Sequence, residues 1–312
     1  MRRLRLIKDG THIDFMRMHK LCFAFSAFFI LGAIGLSLVK GLNYGIDFRG
    51  GILIEMRMEQ TPDFGALRVK LGALELGDVT LQKFGEDRDV LVRIELQQDG
   101  ERGNQRALQA IREAMGEGTV FRRVETVGPT VGEELRTAGL YAVLASVAAI
   151  LIYVWFRFEW QFGIGAVVAL THDVVAIIGL FALLGLDFDL STLAAILTIG
   201  GYSINDTVVV YDRIRENLRK YKRMELRELL NKSVNDTLSR TVMTSITVML
   251  AIAAMFVFAG PVIRNFNLAM LVGVVVGTYS SIFVAAPLLV YLKLKRGAFD
   301  AEAKHAAEQA KP

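Results

Sequence analysis

Hydrophobic positions along the chain follow two regimes. Five long apolar runs, at 21–39, 138–156, 162–184, 242–260 and 266–292, approach or exceed the roughly 18 to 20 residues that cross a bilayer of about 30 Å. A sixth stretch, 190–211, is long enough but carries polar residues in its second half. Together they predict an α-helical polytopic membrane protein with six transmembrane helices. Between the first and second runs the pattern shortens. Ile52, Ile54, Met56 and Met58 alternate with other residues over 51–58 and predict a strand. Phe64, Leu67, Leu71 and Leu74 recur at helical spacing over 62–76, with Pro62 in the first turn. A hairpin follows, 79–84 and 89–96 around Gly85-Glu86-Asp87. A second helix at 101–115 carries Leu108, Ile111 and Met115 on one face, and 119–127 closes as a strand. Strand-helix-strand-strand-helix-strand is the split βαβ, ferredoxin-like α+β pattern, here in an external domain between helices one and two.

Composition agrees with the membrane class. The 312 residues are 53% hydrophobic and 22% charged, with a mean hydropathy of +0.40. A soluble domain of this length carries more charge and shorter apolar runs. The formal charge of +4 and pI near 9.1 gain meaning only from where the charges lie. Arg2, Arg3, Arg5, Lys8, Arg17 and Lys20 precede the first run. Arg213, Arg215, Arg219, Lys220, Lys222, Arg223 and Arg227 lie between the fourth and fifth, and Lys293, Lys295 and Arg296 follow the sixth. Six spans put all three clusters on one side, which the positive-inside rule makes the cytoplasm. The opposite loops, 185–189 and 259–265, hold only Arg264. Basic charge therefore reports topology, and nucleic acid is not expected as a partner. The resulting organisation is a cytoplasmic segment 1–20 and a first span 21–40. The external domain occupies 41–135, spans two to six lie within 136–292 with a cytoplasmic loop at 212–240, and a polar cytoplasmic tail covers 293–312. The first span is longer than a signal-peptide core and lacks a small-x-small site after it, so it reads as an uncleaved anchor. Cys22, the single cysteine, excludes a disulfide framework and suits an apolar filler.

Candidate chemistry is confined to the third, fourth and fifth spans. His172-Asp173 lies near the expected midplane of the third. In the fourth, Thr198, Tyr202 and Asp206 recur every four residues beside Asn205. Asp206 falls about 24 Å below the outer edge at 1.5 Å per residue. A carboxylate at such depth costs about 2.5–3.5 kcal/mol, so it should face protein, water or a cation. Arg240, at the cytoplasmic edge of the fifth span, is the expected cation, with Thr244 and Thr247 on its face. An acid beside a fixed cation exists either as an ion pair or as a neutral acid, and alternation between the two couples ion movement to conformation. The same pair also serves as a purely structural pin, and His172-Asp173 as an ordinary helix contact. Gly200-Gly201 and Gly273 to Gly277 suit close helix packing, and 45–51 a tight entry into the first strand. No metal cluster, nucleophile-base pair or phosphate loop stands out, so neither cofactor nor metal is expected.

These residues resemble a known family. Gly45-Ile46-Asp47-Phe48 with Gly50-Gly51 resembles the signature after the first span of the SecF family, within the resistance-nodulation-division superfamily. The stretch 200–217, GGYSINDTVVVYDRIREN, is similar to that family's most distinctive motif. Thr171-His172-Asp173, the run 237–245 and Val127-Gly128-Pro129-Thr130-Val131-Gly132 match in type and order. The resemblance spans 40–290, and Arg49 stands where many members have a small polar residue. It implies a bacterial inner-membrane subunit, its first domain periplasmic, that pairs with a homologous SecD half. Further implied partners are the SecYEG channel, YajC and unfolded preproteins. It also implies use of a proton or sodium gradient in late export, with Asp206 as the membrane acid and Arg240 its basic partner. A small-molecule or lipid exporter of the same superfamily and a passive translocon scaffold are the alternatives.

Overall fold

The computed structural model describes residues 12–258, 261–292 and 294. Arg2, Arg3, Arg5, Lys8, Lys293, Lys295, Arg296 and most of the expected tail lie outside the described residues. Among those described, six helices are long and apolar enough to cross a membrane. They are α1 (Phe15–Lys40), α5 (Pro129–Arg157), α6 (Trp160–Leu184), α7 (Leu190–Lys220), α8 (Leu226–Phe258) and a sixth, Arg264–Tyr291. The sixth is composite, α9 (Arg264–Ser280) running into a π-helical turn (Ser281–Ala285) and then α10 (Ala286–Tyr291). The first helix starts six residues before the expected span. Asp14 caps it by accepting from Arg17 N, and the Asn231 carboxamide oxygen on α8 accepts from Phe15 N at 2.8 Å.

The stretch expected as a cytoplasmic loop, 212–240, is almost wholly helical. Both helices overrun the apolar segment, and only 221–225 separates them. The overrun is held by polar contacts between the two helices. Asn217 Nδ2 donates to Ser233 Oγ at 2.9 Å, and Arg213 pairs with Asp236 at 2.9 Å. Charged residues leave the bilayer without leaving the helix.

Between α1 and α5 the chain forms β1 (Asn43–Tyr44), α2 (Ile46–Arg49), β2 (Gly51–Arg57), α3 (Phe64–Gly72), β3 (Val79–Lys83), β4 (Asp89–Ile94), α4 (Glu101–Met115) and β5 (Val120–Val127). β2 to β5 make a four-stranded sheet in the order β3-β4-β2-β5, every pair antiparallel. Its core joins Ile52, Ile54 and Met56 of β2 and Val90, Val92 and Ile94 of β4 to Leu67 and Leu71 of α3 and Ala107 and Ile111 of α4. Alternation along β2 thus commits one face to the two helices. The other face carries charge. There Asp89 accepts from Arg57 Nε at 2.7 Å and pairs with Arg122 at 3.2 Å. The Arg57 hydrogen bonds hold the Asp89 carboxyl below the usual carboxylate range against the opposing effect of burial, with Arg122 assisting.

Gly50 and Gly51 make the entry to this sheet. Gly50 closes α2 at φ 75° with its N–H on the Ile46 carbonyl, and Gly51 opens β2 at φ 120°, where a Cβ would strike the Ile94 carbonyl. Only glycine accepts both demands.

A second junction ties the domain to the helix bearing Asp206. β1 pairs in parallel with β6 (Asp187–Phe188), in the connection between α6 and α7. The Asp47 carboxylate accepts from Leu190 N at 3.0 Å, so a side chain next to the glycine pair caps the start of α7. Asp189 adds its own cap, accepting from Thr192 N at 2.7 Å. Burial pushes the Asp189 carboxyl up, opposed by the hydrogen bonds from Thr192. Arg93 of β4 forms an ion pair with Asp187 and donates to Asn43 Oδ1 at 3.2 Å.

Candidate functional site

Helices α6, α7, α8 and α9 close around a seam of hydroxyls and carboxylates. Asp173 on α6 is fully buried. Its Oδ1 lies 3.0 Å from His172 Nδ1, and its Oδ2 accepts from Ser203 Oγ on α7 and from Ser280 Oγ at 2.8 Å. Asp206, one helical turn beyond Ser203, is also buried. Its Oδ1 accepts from Thr241 Oγ1 on α8 at 2.7 Å, and its Oδ2 from Ser281 Oγ at 2.6 Å. Tyr202 extends the seam through its hydroxyl, 2.9 Å from Ser245 Oγ, which in turn lies 2.7 Å from Thr278 Oγ1.

The backbone explains the approach of these helices. Gly277 of α9 leaves space that a Cβ would fill 3.1 Å from Ser203 Cβ, and Gly273 does the same against Ile199. Small residues bring α7 and α9 close enough for short side chains to bridge them. Apolar layers enclose the seam on both sides. Ile177, Phe181, Ile196, Ile199, Met270 and Val274 lie toward the sheet domain. Phe162, Tyr211, Ile214, Val234, Leu238 and Ala285 lie toward the other end. Polar groups between two such layers act at low dielectric, where a hydrogen bond is stronger and an unmade one costlier.

Of the residues singled out in the sequence, the structure brings together Asp206, Asp173, His172 and Tyr202. It leaves Thr198, Asn205 and Thr244 exposed and outside the seam. Thr198 and Thr244 spend their hydroxyls on the carbonyls of Ala194 and Arg240, four residues back. The expected contact between Asp206 and Arg240 is corrected: no ion pair forms, and the carboxylate is satisfied by Thr241 and Ser281. The reason is a matter of one helical step. Thr241 turns inward at the depth of Asp206, so Arg240, about 100° around the helix, is exposed.

The reading of the sequence missed Ser280, Ser281 and Thr278. The adjacent Ser280-Ser281 pair within an apolar run was a visible signal, although serine at a helix contact usually means close packing. Thr241 and Ser245 lie in the same 237–245 run as Arg240 and Thr244, on the neighbouring face of the helix.

Comparison with known proteins bears directly on this arrangement. Residues 107–295 match the family model described as protein export membrane protein SecD/SecF, C-terminal. Residues 35–62, which contain Gly50-Gly51, match the SecD/SecF GG motif.

The chain belongs to the SecF family.

It is 45% identical over 298 residues to the protein translocase subunit SecF of Rickettsia bellii, covering 94% of this chain and 97% of that one. The SecF subunit of Rhodobacter capsulatus is 46% identical over 313 residues, covering 94% and 93%. Among solved structures, SecDF of Thermus thermophilus, described as a translocon-associated membrane protein, superposes with a TM-score of 0.83 at 40% identity. That match covers 91% of this SecF-family chain and 39% of the SecDF chain, so the chain spans about two fifths of that protein. SecDF in its super-membrane-facing form gives a TM-score of 0.69 at 39% identity, covering 96% and 41%. Membership in this family and six apolar helices make the chain a multi-pass membrane protein.

Proposed function

We propose that the chain is an accessory subunit of the Sec protein-export machinery that works beside a SecD subunit and draws on an ion gradient. The observation that carries the reading is the pair of buried carboxylates, Asp173 and Asp206, held between apolar layers by hydroxyl donors, with His172 beside Asp173 and no lysine or arginine in direct contact among the described residues. Burying a carboxylate in a membrane is costly, and intramembrane acids mark ion pathways more often than they pin helices. Asp206 is the acid that takes up and releases the ion, either a proton or sodium. Asp173 with His172 is its buried neighbour, and Tyr202 continues the polar path toward Ser245. Arg240 acts on Asp206 as a nearby charge and reaches contact in a second conformation. Asn205, Thr198 and Thr244 belong to exposed faces that meet lipid or the partner subunit. Moving one charge through about 100 mV supplies about 2.3 kcal/mol, enough to bias a two-state element. The subunit is a motor and not a bond-making enzyme.

The sheet domain fits the same reading as a ferredoxin-like external module, with the SecYEG channel, YajC and emerging unfolded preproteins as further partners. Its strand order and its two helices on one face support that fold. Its placement outside an inner membrane, with both termini cytoplasmic, rests on the basic cluster at 213–227 and on the lone basic residue, Arg264, in the short opposite loops.

The test is Asp206→Asn in the assembled complex, followed by membrane abundance, partner assembly and gradient-dependent preprotein release. The variant is expected to accumulate and assemble, because Asn Oδ1 still accepts from Thr241 or Ser281. Its export should fall to the level seen without a gradient. Full gradient-dependent release would overturn the reading, and loss of the protein from the membrane would favour a structural acid in a passive scaffold.

A further inference from the structure

We infer that Ser280 and Ser281 are positioning residues that join Asp173 and Asp206 into one proton-sharing unit, an inference that rests on the ion-coupling reading above. The two serines are consecutive, and each serves a different acid. Ser280 Oγ lies 2.8 Å from Asp173 Oδ2, and Ser281 Oγ lies 2.6 Å from Asp206 Oδ2. Each hydroxyl also has a second acceptor within its own helix, the Gly277 carbonyl at 3.1 Å for Ser280 and the Thr278 carbonyl at 3.0 Å for Ser281. A serine hydroxyl carries one hydrogen, so it serves one acceptor at a time.

That choice makes each serine a reader of its acid. With Asp206 ionised, the Ser281 hydrogen points at Oδ2. When a proton arrives at Oδ2, the new O–H donates to Ser281 Oγ, and the serine hydrogen rotates to the Thr278 carbonyl. No bond to serine breaks, and the proton leaves again from Oδ2. Ser280 makes the same exchange between Asp173 and Gly277. The two rotors share a mount, because they stand where α9 passes into the π-helical turn 281–285. Such turns inside α-helices occur frequently at functional sites. Ser203 adds a second tie, sitting on the helix of Asp206 while donating to Asp173. Carboxylates linked in this way titrate as a pair and not as two sites. Besides the charged residues toward the helix ends, the packed elements carry His172 on α6, Tyr202 and Tyr211 on α7, Arg240 on α8, Tyr279 on α9 and Cys22 on α1. His172 bonds Asp173, and none of the six hydrogen-bonds Asp206.

The experiment changes the serine at one acid and reads the other. Infrared difference spectra of the complete complex in vesicles contain a protonated-carboxyl band, assigned to Asp206 by its loss in Asp206→Asn. Ser280→Ala, which touches only the Asp173 side, is expected to displace the pH midpoint of that band by about one unit, a tenfold change in proton affinity. Ser280→Thr keeps a hydroxyl and should restore the parent midpoint. Where Ser280→Ala fails to accumulate, Ser280→Cys, a weak donor of similar size, carries the same test. An unchanged midpoint overturns the proposal, and so does an equal displacement in Ser280→Thr, which would mark packing alone. A shift in sodium half-saturation in place of the pH midpoint overturns it too, since the hydroxyls would then be cation ligands. If Asp206→Asn carries ions as the parent does, the ion-coupling reading falls and takes this inference with it. If Asp206→Asn is inactive and Ser280→Ala keeps the parent midpoint, only the inference falls.

Discussion

At the scale of single residues, the seam turns on which of two threonine-bearing faces of α8 meets Asp206. One face carries Arg240, Thr244 and Thr247, and the other Thr237, Thr241 and Ser245. Both repeat at helical spacing, so periodicity does not choose between them. Charge complementarity favoured the first, whereas packing favours the second, because short hydroxyl side chains fit between close helices and a guanidinium does not. A matched pair of substitutions separates the two faces. Thr241→Val keeps the shape but removes a donor from a buried carboxylate, a loss that costs about 1–3 kcal/mol. It should lower the thermal stability of the purified protein and impair gradient-dependent export. Thr244→Val, exposed and bonded only to its own helix, should stay within about 0.5 kcal/mol and export normally. The opposite ranking in melting and export assays would return the site to the Arg240 face. Asp206 itself was legible, since an acid deep in an apolar run has few bland explanations. Ser280 and Ser281 were not, since serine there reads as a small packing residue until its partner across the interface is known.

At the scale of elements, most of the architecture could be read from the chain. The six apolar runs and the order of strands and helices in the first domain follow from periods of 3.6 and 2, and α4 spans 101–115 as its amphipathic pattern predicts. What periodicity does not report is how far a polar helix continues past the membrane, hence the helical overrun of α7 and α8. Nor does it report a two-residue ladder such as β1 with β6, whose partners lie 144 positions apart. Close helix contacts fall between these cases: glycines suggest them, and only the fold names the partner. Gly179 of α6 packs against Ala33 of α1 so tightly that a Cβ on Gly179 would overlap the Ala33 Cβ. Gly179→Ala should therefore separate α1 from α6, at the cost of about 1–3 kcal/mol usual for overpacking. Adding Ala33→Gly moves the methyl from one helix to the other and should restore membrane abundance and melting temperature. Failure of the double variant to recover would mean that these helices meet elsewhere.

At the scale of the whole molecule, the question is how a soluble domain and a membrane seam share one movement. A junction at the start of α7 ties the sheet domain to that helix through side chains. Asp47 caps α7, β1 pairs with β6, and Arg93 of the sheet pairs with buried Asp187. From there α7 runs unbroken to Asp206, a lever of about 24 Å at 1.5 Å per residue. On the ion-coupling reading proposed above, a rearrangement of the acid's surroundings would move the end of a rod to which the domain is fastened. Loosening the fastening should separate two activities that Asp206→Asn loses together. Arg93→Asp places like charges at the junction, and the complex should still carry ions in vesicles while gradient-dependent preprotein release drops. The slip would arise because the seam keeps its chemistry and the domain no longer follows. Asp187→Arg added to Arg93→Asp rebuilds the pair with its charges exchanged and should recover release. Ion flux and release measured side by side on the single and double variants decide the matter. Release that survives Arg93→Asp would show that the domain is driven through some other contact.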